Sequence, residues 1–206
     1  MSRAPSPAAD ARLYLITAAR PDLGEFLEAA VRGGVDLVQL REKELADPEL
    51  VPVLHEARQA TRRLGVPLVV NDRPDLAALV RADYVHVGQD DLPVDVAGRF
   101  GVPVGLSTHA PGEIDAAEAD YIGVGPVYVT PTKEGRPAVG LELVRYAAVH
   151  ARQPRFAIGG IDESNVAAVI EAGARRIAVV RAIGDAPDPE AAAARLAEAL
   201  SREPLV

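Results

Sequence analysis

The sequence contains no cysteine, which removes a disulfide framework, a thiolate nucleophile, an iron-sulfur cluster and the usual structural zinc site. Any metal must then be held by oxygen or histidine. No stretch reaches the roughly 18 consecutive apolar residues of a membrane span, and the opening MSRAPSPAAD lacks the uninterrupted apolar region of a signal peptide. The expectation is a soluble cytoplasmic protein with a flexible N-terminus over residues 1–10 and one folded domain over 11–206. Basic residues are in the minority: 22 Lys and Arg against 30 Asp and Glu leave a net charge of -8. Such a chain is not a polycation built to track nucleic acid or an anionic membrane, although a local basic site for a small anion stays open. No linker splits the chain.

What is present is a regular alternation. With 206 residues, 49% hydrophobic and 25% charged, the composition is that of one globular domain. Short, near-continuously apolar runs recur at Leu13 to Thr17, Asp36 to Leu40, Pro67 to Asn71 and Tyr84 to Gly88. Four more follow at Pro103 to Ser107, Tyr121 to Gly125, Arg155 to Gly159 and Arg176 to Val180. A strand reads this way when both faces of a parallel sheet are covered, which places helices outside. Pro48 to Leu64, Leu141 to Ala151, Asn165 to Ala172 and Pro189 to Arg202 carry Ala, Leu and Glu at helical spacing. Pro74 stands as a first-turn proline, and RGGVD (Arg32 to Asp36) and AGA (Ala172 to Ala174) read as helix stops. Eight strands at about 26 residues per unit predict a (β/α)8 TIM barrel near the lower size limit of that fold. An open doubly wound sheet needs only five or six units and leaves two or three strands over.

In such a barrel, function collects where strands end. After the second run come Gln39, Leu40, Arg41, Glu42 and Lys43; after the third, Asn71 and Asp72; after the fourth, Gly88, Gln89, Asp90 and Asp91. The fifth ends in Ser107, Thr108 and His109. The sixth leads into Thr130, Pro131, Thr132 and Lys133, and the last two end in Gly159-Gly160 and Val180-Arg181. Each has a plain alternative. Arg41 and Lys43 can be solvated loop charges, Asp72, Asp90 and Asp91 helix caps, His109 a loop histidine and Gly159-Gly160 a tight turn. Their convergence on one rim favours a phosphorylated substrate. Aspartates ending adjacent strands can share one Mg²⁺, which takes one or two carboxylates and fills its other positions with water and phosphate oxygens. Arg41, Lys43 and Lys133 would neutralise a diphosphate with Asn71 donating beside them, and Gly160 with the Val180-Arg181 backbone would take a second phosphate.

The segments QLREK (Gln39 to Lys43), VVND (Val69 to Asp72), HVGQDDLP (His86 to Pro93), GLSTH (Gly105 to His109), YIGVGPVYVTPTK (Tyr121 to Lys133), IGGI (Ile158 to Ile161) and VVRAI (Val179 to Ile183) together closely resemble the thiamine phosphate synthase family. The resemblance runs in order from about Leu13 to Ile183. It implies an enzyme that joins a hydroxymethylpyrimidine diphosphate to a thiazole phosphate, releasing pyrophosphate, with Mg²⁺. It further implies that Gln39 to Lys43 line the pyrimidine diphosphate site beside Asn71, and that Asp72 and Asp91 hold Mg²⁺. By the same resemblance Ser107 meets the pyrimidine and Lys133 the departing pyrophosphate. Thr130 and Thr132, in the loop that also holds Pro131, meet the thiazole phosphate with Gly160, Val180 and Arg181. Many relatives carry serine where Arg181 stands, a change of little consequence if backbone N–H groups hold the phosphate. No residue reads as an activated nucleophile, which fits a family in which the diphosphate leaves first. Two rivals are a thiazole tautomerase-like isomerase acting through His109 and a non-catalytic phosphate-binding barrel. Partners are expected to be small phosphorylated substrates, not nucleic acid or membrane, with self-association left open.

Overall fold

The computed structural model of the chain describes residues 7–129 and 138–201. Eight parallel strands close into a barrel in chain order: β1 (Leu13–Thr17), β2 (Leu37–Leu40), β3 (Leu68–Asn71), β4 (Tyr84–Val87), β5 (Val104–Thr108), β6 (Tyr121–Val124), β7 (Arg155–Ile158) and β8 (Ile177–Val179). Closure is by pairing of β1 with β8, Leu13 opposite Ile177 and Leu15 opposite Val179. The expected TIM barrel is therefore present, and the open sheet is excluded. Around it lie α1 (Pro7–Asp10), α2 (Leu23–Arg32), α3 (Asp47–Leu64), α4 (Pro74–Leu79), α5 (Val94–Ala97), α6 (Pro111–Asp115), α7 (Gly140–His150), α8 (Val166–Glu171), α9 (Arg181–Gly184) and α10 (Pro189–Ser201). The short helices α5, α6 and α9 span at most five residues, too few for a helical period to be read from sequence. Among the described residues no helix is long and apolar enough to cross a membrane.

The alternation of each strand divides the core in two. Leu13, Leu15, Val38, Leu40, Leu68, Val70, Val85 and Val87 face outward and pack with Leu27, Leu54, Ala57 and Leu196 of the helices. Tyr14, Leu37, Val69, Tyr84, Tyr121, Phe156 and Ala178 fill the barrel interior. The rings meet edge to face, Tyr14 with Phe156 at 5.2 Å and Tyr84 with Tyr121 at 5.6 Å between centroids, a favoured arrangement for aromatic pairs. Gly105 makes room for this layer, since a Cβ there would lie 2.1 Å from a ring carbon of Tyr121.

Residues 7–10 differ from the frayed end read from sequence. They form a helical turn against the lower mouth of the barrel: Ala8 is fully buried and its N–H donates to Tyr84 Oη at 3.0 Å. Burial of Ala8 and one satisfied backbone donor hold this segment, and neither is visible in composition. At the same end the Asp36 carboxylate accepts the backbone N–H groups of Arg12 and Leu13 at 2.9 to 3.0 Å. Burial outweighs these bonds and pushes Asp36 up to about 6.

Candidate active site

The C-terminal ends of the strands open into a cavity of about 330 Å³. Gln39, Arg41, Lys43, Asn71, Asp72, Asp91, Ser107, His109, Gly160, Val180 and Arg181 all line it, so residues far apart in sequence and singled out there do converge. Leu40 and Glu42 do not line it. Leu40 points outward into the barrel–helix layer, as its alternation with Gln39 requires. Glu42 turns away from the cavity, its carboxylate accepting the N–H of Ala19 in the loop after β1 at 3.2 Å and those of Lys43 and Glu44 in its own loop at 2.8 and 2.9 Å. Those bonds, that from Glu44 first, hold its pKa below the usual range. Glu42 thus shapes the loop after β2 that carries Arg41 and Lys43. Thr130, Pro131, Thr132 and Lys133 lie outside the described residues.

One wall is charged. Lys43 Nζ lies 2.9 Å from Asp72 Oδ2. Asp72 sits at φ +60°, its N–H donating to His86 O and the next N–H, of Arg73, reaching back to Asn71 O, both at 2.8 Å. A left-handed aspartate at a strand end is a strained conformation that its neighbours must hold in place. Behind it Arg73 clamps Asp47 at 2.6 and 3.0 Å and Asp75 at 2.7 and 2.9 Å, tying the starts of α3 and α4 together. Hydrogen bonding to Arg73 holds both carboxyls below the usual range. The residue preceding α4 is Arg73, and that preceding α5 is Pro93, so neither Asp72 nor Asp91 occupies the cap position of its helix. Asp91 Oδ2 instead accepts Gly88 N–H at 2.7 Å.

The floor is a chain of hydrogen bonds. Gln39 Nε2 donates to Tyr14 Oη at 2.5 Å, Tyr14 Oη lies 3.0 Å from Tyr121 Oη, and that oxygen lies 3.0 Å from His86 Nδ1. His86 Nε2 is 2.9 Å from Ser107 Oγ, and the Ser107 carbonyl accepts from Gln89 Nε2 at 2.7 Å. Tyr14 and His86 were not singled out from the sequence. The available signal was the period of two, which turns Tyr14 and His86 inward with Gln39 and Ser107.

The opposite wall is built from backbone. Gly159 and Gly160 follow β7 with φ of +102° and +65°. A Cβ on Gly160 would lie 2.7 Å from Tyr128 Cβ and one on Gly159 2.5 Å from Pro126 Cβ, so only glycine lets this turn lie against the segment after β6. The first turn of α9, with Arg181 and Ala182 on the cavity, offers N–H groups that a helix start leaves without internal acceptors. His109 Nδ1 donates to the Gly125 carbonyl, and its backbone N–H donates to Glu113 Oε2 at 2.7 Å.

Residues 13–183 match the family model described as thiamine monophosphate synthase. The chain belongs to that family. It is 52% identical to the thiamine-phosphate synthase of Acidothermus cellulolyticus, over 94% of this chain and 96% of the relative. The thiamine-phosphate synthase of an Arthrobacter species is 50% identical, over 93% and 94%. A solved structure, thiamine phosphate pyrophosphorylase from Pyrococcus furiosus, superposes with a TM-score of 0.87 at 31% identity, covering 95% of this chain and 98% of its own. In this thiamine monophosphate synthase family member the site thus combines a cationic and carboxylate wall, an aromatic, hydrogen-bonded floor and a glycine-lined wall.

Proposed function

We propose that the enzyme joins a 4-amino-2-methyl-5-hydroxymethylpyrimidine diphosphate to a thiazole phosphate, giving thiamine phosphate and pyrophosphate, on small soluble substrates in the cytoplasm. The observation that carries this reading is the meeting, in one cavity, of Arg41, Lys43, Asp72 and Asp91 with the Gln39–Ser107 floor and the Gly159–Gly160 turn. Asp72 and Asp91 fit Mg²⁺: they are hard oxygen donors on neighbouring strand ends, and two carboxylates suffice where phosphate oxygens and water complete the shell. Among the described residues no group of three His, Cys, Asp or Glu is placed to hold a metal ion, so these two carboxylates would hold it only together with phosphate oxygens and water. When bound, Mg²⁺ would supply positive charge to the diphosphate oxygens.

The chain's own residues do the rest. Lys43 exchanges the Asp72 carboxylate for a diphosphate oxygen, and Arg41 with the Asn71 amide takes others. The bond between the pyrimidine methylene carbon and the diphosphate oxygen breaks with its electron pair going to pyrophosphate, so these cations and Lys133 interact most strongly as charge develops. The apolar and aromatic floor excludes water from the resulting pyrimidine methyl cation, which would otherwise be hydrolysed. The thiazole nitrogen, anchored through its phosphate at Gly160, Val180, Arg181, Thr130 and Thr132, donates its lone pair to form the new C–N bond. No proton has to leave in that step, and no nucleophilic side chain is required. Mixing both phosphorylated precursors with Mg²⁺ tests the reading: thiamine phosphate and pyrophosphate in equal amounts are expected, and isomerisation of a thiazole phosphate without coupling would overturn it.

A further inference from the structure

Ser107 and His86 stand 2.9 Å apart, the spacing of a nucleophile and its base, yet the group on the far side of the imidazole is a phenol. That difference sets the direction of the whole buried chain. Gln39 Nε2 carries hydrogens only and must donate to Tyr14 Oη. A phenol has one hydrogen, and the partners left to Tyr14 and Tyr121, Tyr121 Oη and His86 Nδ1, each lie 3.0 Å away and can accept; donation in that order leaves neither buried hydroxyl hydrogen without an acceptor. A neutral imidazole that accepts at Nδ1 keeps its proton on Nε2, where it donates to Ser107 Oγ. The Ser107 hydrogen is then turned away from His86 and toward the cavity that Ser107 lines. Burial pushes both phenols upward, so the two hydroxyls stay protonated and the chain stays intact. Chains of this kind polarise one another, which sharpens the last donor.

We infer that Tyr14, Tyr121 and His86 are positioning residues that hold Ser107 as a hydrogen-bond donor to an acceptor atom of the heterocycle bound on the cavity floor, and prevent it from serving as a nucleophile. The direction of the chain rests on the Gln39 amide donating to Tyr14 and on each buried hydroxyl finding an acceptor; that the heterocycle is the pyrimidine, through a ring nitrogen, rests on the function proposed above.

Two measurements test it. In the unliganded protein with ¹⁵N-labelled histidine, two-bond ¹H–¹⁵N correlation NMR is expected to find His86 as the Nε2–H tautomer, with Nδ1 bare. An Nδ1–H tautomer or a doubly protonated ring at neutral pH overturns the proposal whatever the enzyme does. The second is a double-mutant cycle on coupling. Tyr121→Phe keeps the ring and removes the hydroxyl; it is expected to lower kcat/KM for the pyrimidine diphosphate on the order of tenfold, with the KM for thiazole phosphate unchanged. In a Ser107→Ala background the same change is expected to cost less than about twofold, because Tyr121 acts through Ser107. Equal, independent losses in both backgrounds overturn the positioning role, and Tyr14→Phe repeats the cycle one link further away. A covalent adduct on Ser107 overturns the proposal. The expected tautomer in a protein that couples nothing overturns the functional reading, and with it the pyrimidine, but not the direction of the chain.

Discussion

Lys43 Nζ and Asp72 Oδ2 face each other at 2.9 Å across the cavity mouth, the lysine side chain half exposed and the aspartate 24% exposed. A pair this open to water contributes about 0–1 kcal/mol to stability. Its position on the cavity, together with the left-handed backbone of Asp72, points to a chemical use. Lys43→Met is therefore expected to leave the thermal midpoint within about 4 °C of wild type and to lower coupling on the order of 10²-fold or more. A rate near wild type would remove Lys43 from the diphosphate site.

Asp72→Asn and Asp91→Asn should each abolish most coupling and raise the Mg²⁺ concentration needed for the remainder. Asparagine is the informative replacement at residue 72, because it tolerates φ +60° where alanine adds strain to the loss of charge. Titrating Mg²⁺ against initial rate checks this, and chelation with EDTA should stop the wild-type reaction. Normal rates at unchanged Mg²⁺ demand in both variants would reduce the two aspartates to loop-shaping roles.

Gly160→Ala forces a side chain into φ +65° and places its Cβ 2.7 Å from Tyr128 Cβ. A stability loss of about 1–3 kcal/mol is expected from the backbone strain. Because Gly160 lines the cavity wall proposed to hold the second phosphate, the KM for thiazole phosphate should rise more than that for the pyrimidine diphosphate. Denaturant midpoints and the two KM values separate the effects.

His109→Asn distinguishes coupling from isomerisation. The His109 ring is held by the Gly125 carbonyl, and the coupling step proposed above releases no proton to it. Coupling should fall about tenfold or less, well short of the 10²- to 10⁴-fold expected for a lost general acid or base. Thiamine phosphate formation and thiazole isomerisation, assayed side by side, report which chemistry the residue serves.

Asp36 carries a pH signature of its own. Its folded pKa of about 6 lies above the 3.8 of the open chain, so between those values the native state binds the proton more tightly. The contribution of this group to stability is full below about pH 4 and declines as pH rises to 6. Relative to Asp36→Asn, the wild-type thermal midpoint should lose ground over that interval and no further above it. A difference that grows with pH would contradict the raised value.

The near-continuous runs such as Leu13 to Thr17 and Tyr121 to Gly125 already determined a parallel sheet covered on both faces, because buried strands need apolar residues at every position. Their number determined a barrel, and the polar residues at their ends determined which rim carries chemistry, since strand ends alone expose such groups beside a common axis. Tertiary structure decided the direction of each side chain. Leu40 and Glu42 share a segment with Gln39 and Lys43, yet one packs against helices and the other against its own loop. His86 reads as one more strand residue until closure brings β4 and β5 side by side and sets it against Ser107 and Tyr121. The grip of Arg73 on Asp47 and the seating of Ala8 under Tyr84 likewise join residues 26 and 76 positions apart. Local pattern fixes period and polarity, but a hydrogen bond between distant residues depends on the stagger of strands around the barrel, which no single segment encodes.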